Sequence, residues 1–136
     1  MIYSEIEIRV RYAETDKMGI AYHANYFTWF EVARVRMLDE IGAPYRDLEE
    51  EGYLLPVLEC RAKFLSPAFF DDLLTVKTFI EEPPLARIQV RYEVVRGEKL
   101  LCKGGTVHGF VTTEGEVTRP PGRFIELARA RFREQD

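Results

Sequence analysis

The chain of 136 residues is poor in the residues that form covalent cross-links and metal centres. It contains two cysteines and two histidines. Cys60 and Cys102 lack CxxC spacing and lie in separate apolar runs, so we expect two reduced, buried thiols; the alternative is one disulfide in a secreted protein. His23 and His108 lie far apart, without an HExxH motif or a Cys/His cluster, so the sequence gives no support for a metal site.

Long apolar segments and a strong charge of either sign are also missing. No stretch approaches the roughly 18 apolar residues that a membrane-spanning helix needs, and no positively charged start precedes an apolar run. The formal net charge of −4 argues against nucleic acid as a partner. We therefore expect a single cytoplasmic domain over residues 1–136, which is long enough to bury a core.

Alternation of apolar and charged residues marks the first element. Residues 4–12 place their apolar side chains on one face and their charged side chains on the other, which predicts a half-buried strand. The apolar face consists of Ile6, Ile8, Val10 and Tyr12. From about residue 25 to residue 41 the apolar spacing becomes helical and the apolar sector is wide, which predicts a long, largely buried helix that Gly42 ends.

The second half of the chain returns to a period of two. Residues 54–66, 73–82, 86–95 and 99–113 predict four further strands, joined by short turn-forming connections. A short solvated helix is expected at residues 44–51, and a packed helix is expected near the C-terminus. Short connections favour antiparallel neighbours, so the order of elements predicts a two-layer α+β domain with one buried helix against one sheet.

Asp16 lies in the connection between the first strand and the long helix. Loops at such positions carry chemistry, and a helix start presents free backbone amides. Gly19 would let the backbone approach a ligand, and the amides of Tyr22 and His23 would lie near the helix start. A carboxylate within reach of the same carbonyl carbon could attack it or activate water. From the spacing alone, a turn that Asp16 caps is the simpler explanation, because an isolated Asp-x-x-Gly is a weak signal.

The segment RYAETDKMGIAYHANYFTWFEVARVRML, residues 11–38, resembles the signature of the hotdog-fold acyl-CoA thioesterases of the 4-hydroxybenzoyl-CoA thioesterase and YbgC type. The matching residues are Asp16, Gly19, His23, Asn25, Tyr26, Glu31, Ala33 and Arg34. The likeness continues in FLSPAFFDDLLTV at residues 64–76 and follows the order of elements over the whole chain. In one departure, Glu14 stands where the family has its first acid, a position not needed for attack.

This resemblance implies a hotdog fold, in which an antiparallel five-stranded sheet wraps around the long helix, with a C-terminal helix. It implies hydrolysis of an acyl-CoA thioester, with Asp16 as nucleophile or general base and the backbone N–H of His23 as the group that polarises the carbonyl. No cofactor is implied, since coenzyme A is part of the substrate. The imidazole of His23 is a separate question, because relatives can carry tyrosine there.

The resemblance also implies a homodimer or a dimer of dimers, that is, a homotetramer, and the open edge of a sheet is an independent reason to associate. We expect Gly19, Tyr22, Tyr26 and Trp29 at the substrate site, although large aromatic residues at helical spacing also suit the core. An aromatic wall suits a small aromatic acyl group and would hold a short or medium aliphatic chain nearly as well.

Coenzyme A carries phosphates, so its site should include basic side chains. The candidates are Lys63, Arg87 and Arg91, with the arginines 129, 131 and 133 as further possibilities. Glu31 is a second acid on the long helix, but an ion pair with Arg34, three residues later, explains it more simply. We expect His108 to be a hydrogen-bonded histidine within a strand and Gly104-Gly105 to be a bulge or a site of close packing.

Two other functions remain open from the sequence. The first is a hydratase or dehydratase on the same fold, in which the His23 imidazole and a carboxylate would handle an α-proton. The second is a non-catalytic module that binds acyl-CoA or an acyl-carrier protein. The hydrolase requires Asp16, the hydratase requires the imidazole, and the binding module would release no thiol.

Overall fold

The computed structural model describes residues 1–133; residues 134–136, the end of the predicted single domain, lie outside the described residues. The strands are β1 (Ile2–Arg9), β2 (Tyr53–Leu54), β3 (Val57–Phe64), β4 (Leu73–Ile80), β5 (Ile88–Arg96), β6 (Lys99–His108) and β7 (Val111–Thr112). The helices are α1 (Asn25–Glu40), α2 (Tyr45–Glu50) and α3 (Gly122–Arg133), and a 3₁₀ turn covers Tyr12–Glu14.

Five of the strands form one antiparallel sheet in the order β1-β4-β5-β6-β3, and β2 pairs with β7 separately. Helix α1 packs across one face of this sheet, from β1 and β4 to β3 at the far edge, where Tyr26 meets Phe64. The predicted α+β architecture, with its five-stranded antiparallel sheet and its C-terminal helix, is confirmed.

Helix α1 packs tightly on the sheet at Phe30. Its ring stacks on Tyr92 of β5, with the centroids 4.3 Å apart and the planes 8° from parallel. On β6, a Cβ atom at Gly104 would lie 2.5 Å from the Phe30 ring, so only glycine fits beneath it. Gly104 is therefore a close-packing site, one of the two roles predicted for the glycine pair.

The boundaries of the helices follow the sequence pattern. Gly42 adopts φ +88° directly after α1, as a helix-ending glycine does, and its N–H donates to the Asp39 carbonyl. Val32 and Val35, expected to widen the buried sector of α1, are exposed instead, because the sheet covers a narrower stripe of the helix. In the part of the chain that the structure describes, no helix is both long and apolar enough to cross a membrane.

Three further expectations are wrong in detail. Tyr12 does not continue the buried face of β1; it lies in the 3₁₀ turn and is 76% exposed. Cys60 is exposed because β3 is an edge strand, whereas Cys102 is buried and both thiols are free, as predicted. The predicted strand over 99–113 is broken, because the chain leaves the main sheet after His108 and pairs with β2 as β7.

Candidate active site

The loop between β1 and α1 is shaped by its own backbone hydrogen bonds. The Asp16 N–H donates to the Ile20 carbonyl at 2.9 Å, and the Gly19 N–H donates to the Asp16 carbonyl at 3.0 Å. Gly19 has φ +79°, a conformation in which a side chain would be strained. The turn thus requires glycine at residue 19, while no substrate contact of Gly19 is needed to explain its presence.

The Asp16 carboxylate is only partly used by this turn. Its Oδ1 accepts a hydrogen bond from the Met18 amide at 2.8 Å, whereas Oδ2 accepts none within residues 1–133. Asp16 therefore caps a turn, as the simpler interpretation of the sequence predicts, and it also lines the adjoining cavity.

His23 lies immediately before the first turn of α1. The amides of residues 25–27 donate to the carbonyls three residues earlier, beginning with Asn25 to Tyr22 at 3.0 Å. The Tyr22 amide donates to the Glu14 carbonyl at 2.8 Å, so it is occupied. The His23 amide donates no hydrogen bond among the described residues. It is thus a free donor at the positive end of the helix dipole.

Asp16 and His23 line the same cavity, which has a volume of about 470 Å³. Its other walls come from residues 18, 20 and 21 of the loop, from Tyr26 of α1, and from residues 64–67 after β3. The lining is largely apolar, with the carboxylate and the imidazole at the loop wall. Such a concave, mostly apolar site with a few convergent polar groups is typical of small-molecule sites.

Aromatic rings form part of the cavity wall. The Tyr26 ring meets Phe64 edge to face, with the centroids 5.0 Å apart, and His23 meets Phe64 in the same manner at 6.2 Å. Burial raises the pKa of Tyr26 to about 12, with the nearby Cys102 thiol as the next contribution, so its hydroxyl is neutral at physiological pH.

The opposite wall of the cavity, residues 64–67, is held in place by hydrogen bonds to residues that do not line the cavity. One guanidinium nitrogen of Arg96 donates to the Pro67 carbonyl at 3.2 Å and to Asp72 Oδ2 at 2.8 Å. The same Oδ2 accepts from the Phe69 amide at 2.8 Å. The Ala21 amide in turn donates to the Ala68 carbonyl at 2.8 Å, so this wall and the Asp16 loop are joined.

Of the predicted aromatic contacts, only Tyr26 lines the cavity. Trp29 is 2% exposed and lies behind Tyr26, with ring centroids 4.6 Å apart. Tyr22 is about half exposed and rests against His23. Trp29 therefore supports the wall without forming it, which is the core role that the sequence also allowed.

The predicted basic residues lie elsewhere. Lys63 and Arg91 line a separate cavity of about 330 Å³ on the sheet face away from α1, together with Arg61 and Lys103. Arg91 is bound by two acids, Glu81 at 2.7 Å and Glu93 at 2.6 Å. Arg87 is exposed in the connection between β4 and β5. Contact of these residues with coenzyme A stays a prediction.

One expectation for a charged group outside the cavity is wrong. Glu31 is exposed and forms no ion pair with Arg34 in the described residues; Arg34 turns inward and donates to the Tyr92 hydroxyl at 3.4 Å. His108 is a hydrogen-bonded histidine within a strand, as predicted: Nε2 pairs with Thr106 Oγ1 at 2.8 Å, while Nδ1 has no partner within residues 1–133. Among the C-terminal arginines, Arg131 donates to the Glu40 carbonyl.

The sequence reasoning missed two groups that shape the site. One is Glu14, a buried carboxylate that accepts from the Trp29 indole N–H at 2.9 Å. The other is the segment 64–67, whose apolar side chains close the cavity. The sequence did contain a signal for Glu14. An acid just before an aromatic helix needs a buried hydrogen-bond donor if its side chain faces inward. The single tryptophan of this chain can supply that donor.

Comparison with known proteins finds relatives that are named as thioesterases. The family model of the thioesterase-like superfamily matches residues 10–132. YneP of Bacillus subtilis (strain 168), provisionally named an acyl-CoA thioesterase, is 44% identical over 82 residues, which span 60% of this chain and 59% of that protein. The acyl-CoA thioesterase YbgC of Haemophilus influenzae is 35% identical over 71% of each chain. The structure of the DHNA-CoA thioesterase from Staphylococcus aureus superimposes with a TM-score of 0.89 at 35% identity, and covers 99% of this chain and 92% of that one.

Proposed function

Because the chain belongs to the thioesterase-like superfamily and has the hotdog fold, we propose that it is an acyl-CoA thioesterase in which Asp16 and the His23 amide act on the thioester carbonyl. The observation that carries this proposal is that Asp16 and His23 line one apolar cavity, while one Asp16 carboxylate oxygen and the His23 helix-start amide have no hydrogen-bond partner within residues 1–133. The named relatives support the same class of reaction.

The chemistry needs one electrophilic carbon between these two groups. The His23 N–H would donate to the carbonyl oxygen and stabilise the negative charge that develops on it, aided by the dipole of α1. Asp16 either attacks the carbonyl carbon, expels the coenzyme A thiolate and leaves a mixed anhydride that water hydrolyses, or takes a proton from the water that attacks. Both routes give the free acid and the thiol.

The acyl group would lie against Tyr26 and Phe64. Their edge-to-face arrangement leaves aromatic surface that can pack on a ring, and Ile20 and Leu65 add aliphatic surface. We propose a small aromatic acyl group as the preferred substrate and a short or medium aliphatic chain as an acceptable one, since apolar burial has little directionality.

The phosphates of coenzyme A would bind the basic cavity that Lys63 lines. Lys63 precedes Phe64 on β3 and lies on the other face of the sheet, directly opposite Lys103. Two like charges in this arrangement repel each other, and an anion between them would remove that repulsion. Arg61 lies next to them, with its guanidinium over Gly105, whereas Arg91 is already neutralised by acids.

A second copy of the chain would cover the β3 edge. This strand has unpaired backbone groups on one side, and its apolar residues Val57, Leu58 and Phe64 are about half exposed. An open, apolar edge is a template for pairing with another strand. We propose a dimer through β3, which would place the second subunit beside the Phe64 wall, with a dimer of dimers as the larger assembly.

The proposed function is tested by assaying thiol release from a panel of acyl-CoA thioesters, including benzoyl, phenylacetyl, acetyl and hexanoyl groups. We expect steady turnover, fastest with one of the aromatic substrates. Saturable binding without thiol release would contradict the hydrolase and identify a binding module. Addition of water to an enoyl-CoA without thiol release would identify a hydratase.

A further inference from the structure

Glu14 is a buried acid at the junction of β1, the Asp16 loop and helix α1. Its side chain is almost fully buried, and both carboxylate oxygens are occupied: Oε1 accepts from the Arg11 amide at 2.8 Å, and Oε2 accepts from the Trp29 indole at 2.9 Å. The exposed Arg11 guanidinium lies 3.5 Å from Oε1. The carboxylate thus connects the end of β1 to the first turns of α1.

The backbone of the same residue holds the other end of the loop. The Glu14 carbonyl accepts from the Tyr22 amide and from the Asn25 side-chain amide, both at 2.8 Å. Glu14 therefore anchors both the start of the Asp16 loop and its return to α1. Asp16 and His23 lie inside the segment that these bonds close.

A buried carboxylate is costly unless its hydrogen bonds are made. If this position served packing alone, an apolar side chain against the Trp29 ring would be the cheaper solution. The hydrogen bonds of Glu14 instead fix the orientation of the Asp16 loop relative to helix α1, which apolar packing specifies less well. Small displacements matter here, since about 1 Å of misplacement of a reacting group can cost roughly 10²-fold in rate.

We propose that Glu14 is a positioning residue: through Trp29, Arg11 and Asn25 it holds the Asp16 carboxylate and the His23 amide at the separation that attack on the thioester requires. Glu14 is not among the described residues that line the cavity, so it would not touch an acyl group bound there. This inference rests on the proposed function, because only a hydrolase needs this attack geometry.

The first test uses two substitutions, of which Glu14→Gln preserves the shape of the side chain and Trp29→Phe replaces the indole with a smaller ring. Glu14→Gln retains one acceptor, but its NH₂ group would face either the Arg11 amide or the Trp29 indole, so one bond is lost. Trp29→Phe removes the indole N–H and keeps an aromatic ring. For each variant we expect kcat to fall roughly 10- to 100-fold and KM to stay within about threefold, because neither Glu14 nor Trp29 is among the residues that line the cavity.

The double variant tests whether the two substitutions break the same hydrogen bond or cause two independent defects. If Glu14 and Trp29 act through their shared hydrogen bond, kcat of Glu14→Gln/Trp29→Phe equals that of the worse single variant within about twofold. The matched control is Glu7→Gln, the same chemical change at an exposed residue of β1, for which we expect wild-type kcat. All rates are measured where circular dichroism and thermal unfolding show each variant to be fully folded.

Three results would overturn the proposal. The first is a wild-type kcat in Glu14→Gln or in Trp29→Phe. The second is a loss of kcat in the double variant that equals the product of the two single losses, and the third is a loss of kcat that disappears when the rate is divided by the folded fraction. If Glu14→Gln does not fold, Trp29→Phe alone tests the proposal: a fall in kcat with little change in KM supports it, and an unchanged kcat contradicts it. Failure of the proposed function is distinguishable, because the wild-type protein would then release no thiol from any substrate.

Discussion

Asp16 and His23 line one cavity from the two ends of a single loop. The loop is held by backbone hydrogen bonds, from Asp16 to Ile20 at one end and from Tyr22 to Glu14 at the other. The loop backbone that carries the two residues is therefore fixed by its own hydrogen bonds. Such preorganisation lets donors and acid meet a transition state without further rearrangement.

Replacement of Asp16 tests the acid directly. Asp16→Asn keeps the Oδ1 acceptor for the Met18 amide, so the turn should persist, but it removes the nucleophile or base. We expect kcat for thiol release to fall by roughly 10²- to 10⁴-fold. Asp39→Asn, at an exposed acid of α1, is the control and should keep the wild-type rate. Unchanged turnover in Asp16→Asn would remove Asp16 from the mechanism.

Replacement of His23 separates the amide from the imidazole. His23→Phe retains the backbone N–H and a ring that can rest against Phe64. We expect kcat to stay within about tenfold of wild type, because the oxyanion donor belongs to the backbone. The measurement is thiol release together with enoyl-CoA hydration. Complete loss of activity would favour a mechanism in which the imidazole transfers a proton.

The buried His108 should make stability depend on pH. Burial, with a smaller effect of the Arg34 charge, lowers its pKa to about 4 from an ordinary value of 6.5. The unfolded chain takes up a proton near pH 6.5, whereas the folded chain does not until about pH 4. The contribution of the neutral His108 to stability is thus complete above pH 6.5, and about 1.4 kcal/mol of unfolding free energy is lost per pH unit below it.

Urea unfolding at several pH values between 7 and 4.5 measures this effect. His108→Gln cannot titrate, so its stability should be lower at pH 7 but should fall less steeply as the pH decreases. His23→Phe, at the exposed histidine, serves as the control and should follow the wild-type slope. Parallel curves for wild type and His108→Gln would show that His108 is not the group responsible.

Substitution on the β3 edge tests the proposed dimer. Leu58→Lys places a charge on an apolar side chain that is 48% exposed and sits on the edge strand. Charged edge residues oppose strand pairing, so sedimentation equilibrium should show a shift from dimer or tetramer toward monomer. Val117→Lys, at a fully accessible residue after β7, should leave the assembly unchanged. A monomeric wild-type protein would contradict the dimer at once.

The sequence by itself determined the main elements and identified Asp16 as a candidate for the reacting acid. Residue periodicity located α1 and the strands of the main sheet, because the burial of one face imposes a period that is visible in a single sequence. The Asp16 to Gly19 turn was also readable, since φ +79° at residue 19 favours glycine. Neither observation required knowledge of what the elements pack against.

The tertiary structure decided which side chains meet. Cys60 lies in an apolar run yet is exposed, because β3 is an edge strand of the sheet. The local sequence pattern does not show where a strand lies in the sheet. Segment 64–67 reaches the Asp16 loop only because β3 ends beside it, and Glu14 is buried only because α1 places Trp29 over it. Contacts between residues distant in sequence depend on strand order and on the crossing of α1, for which periodicity carries no information.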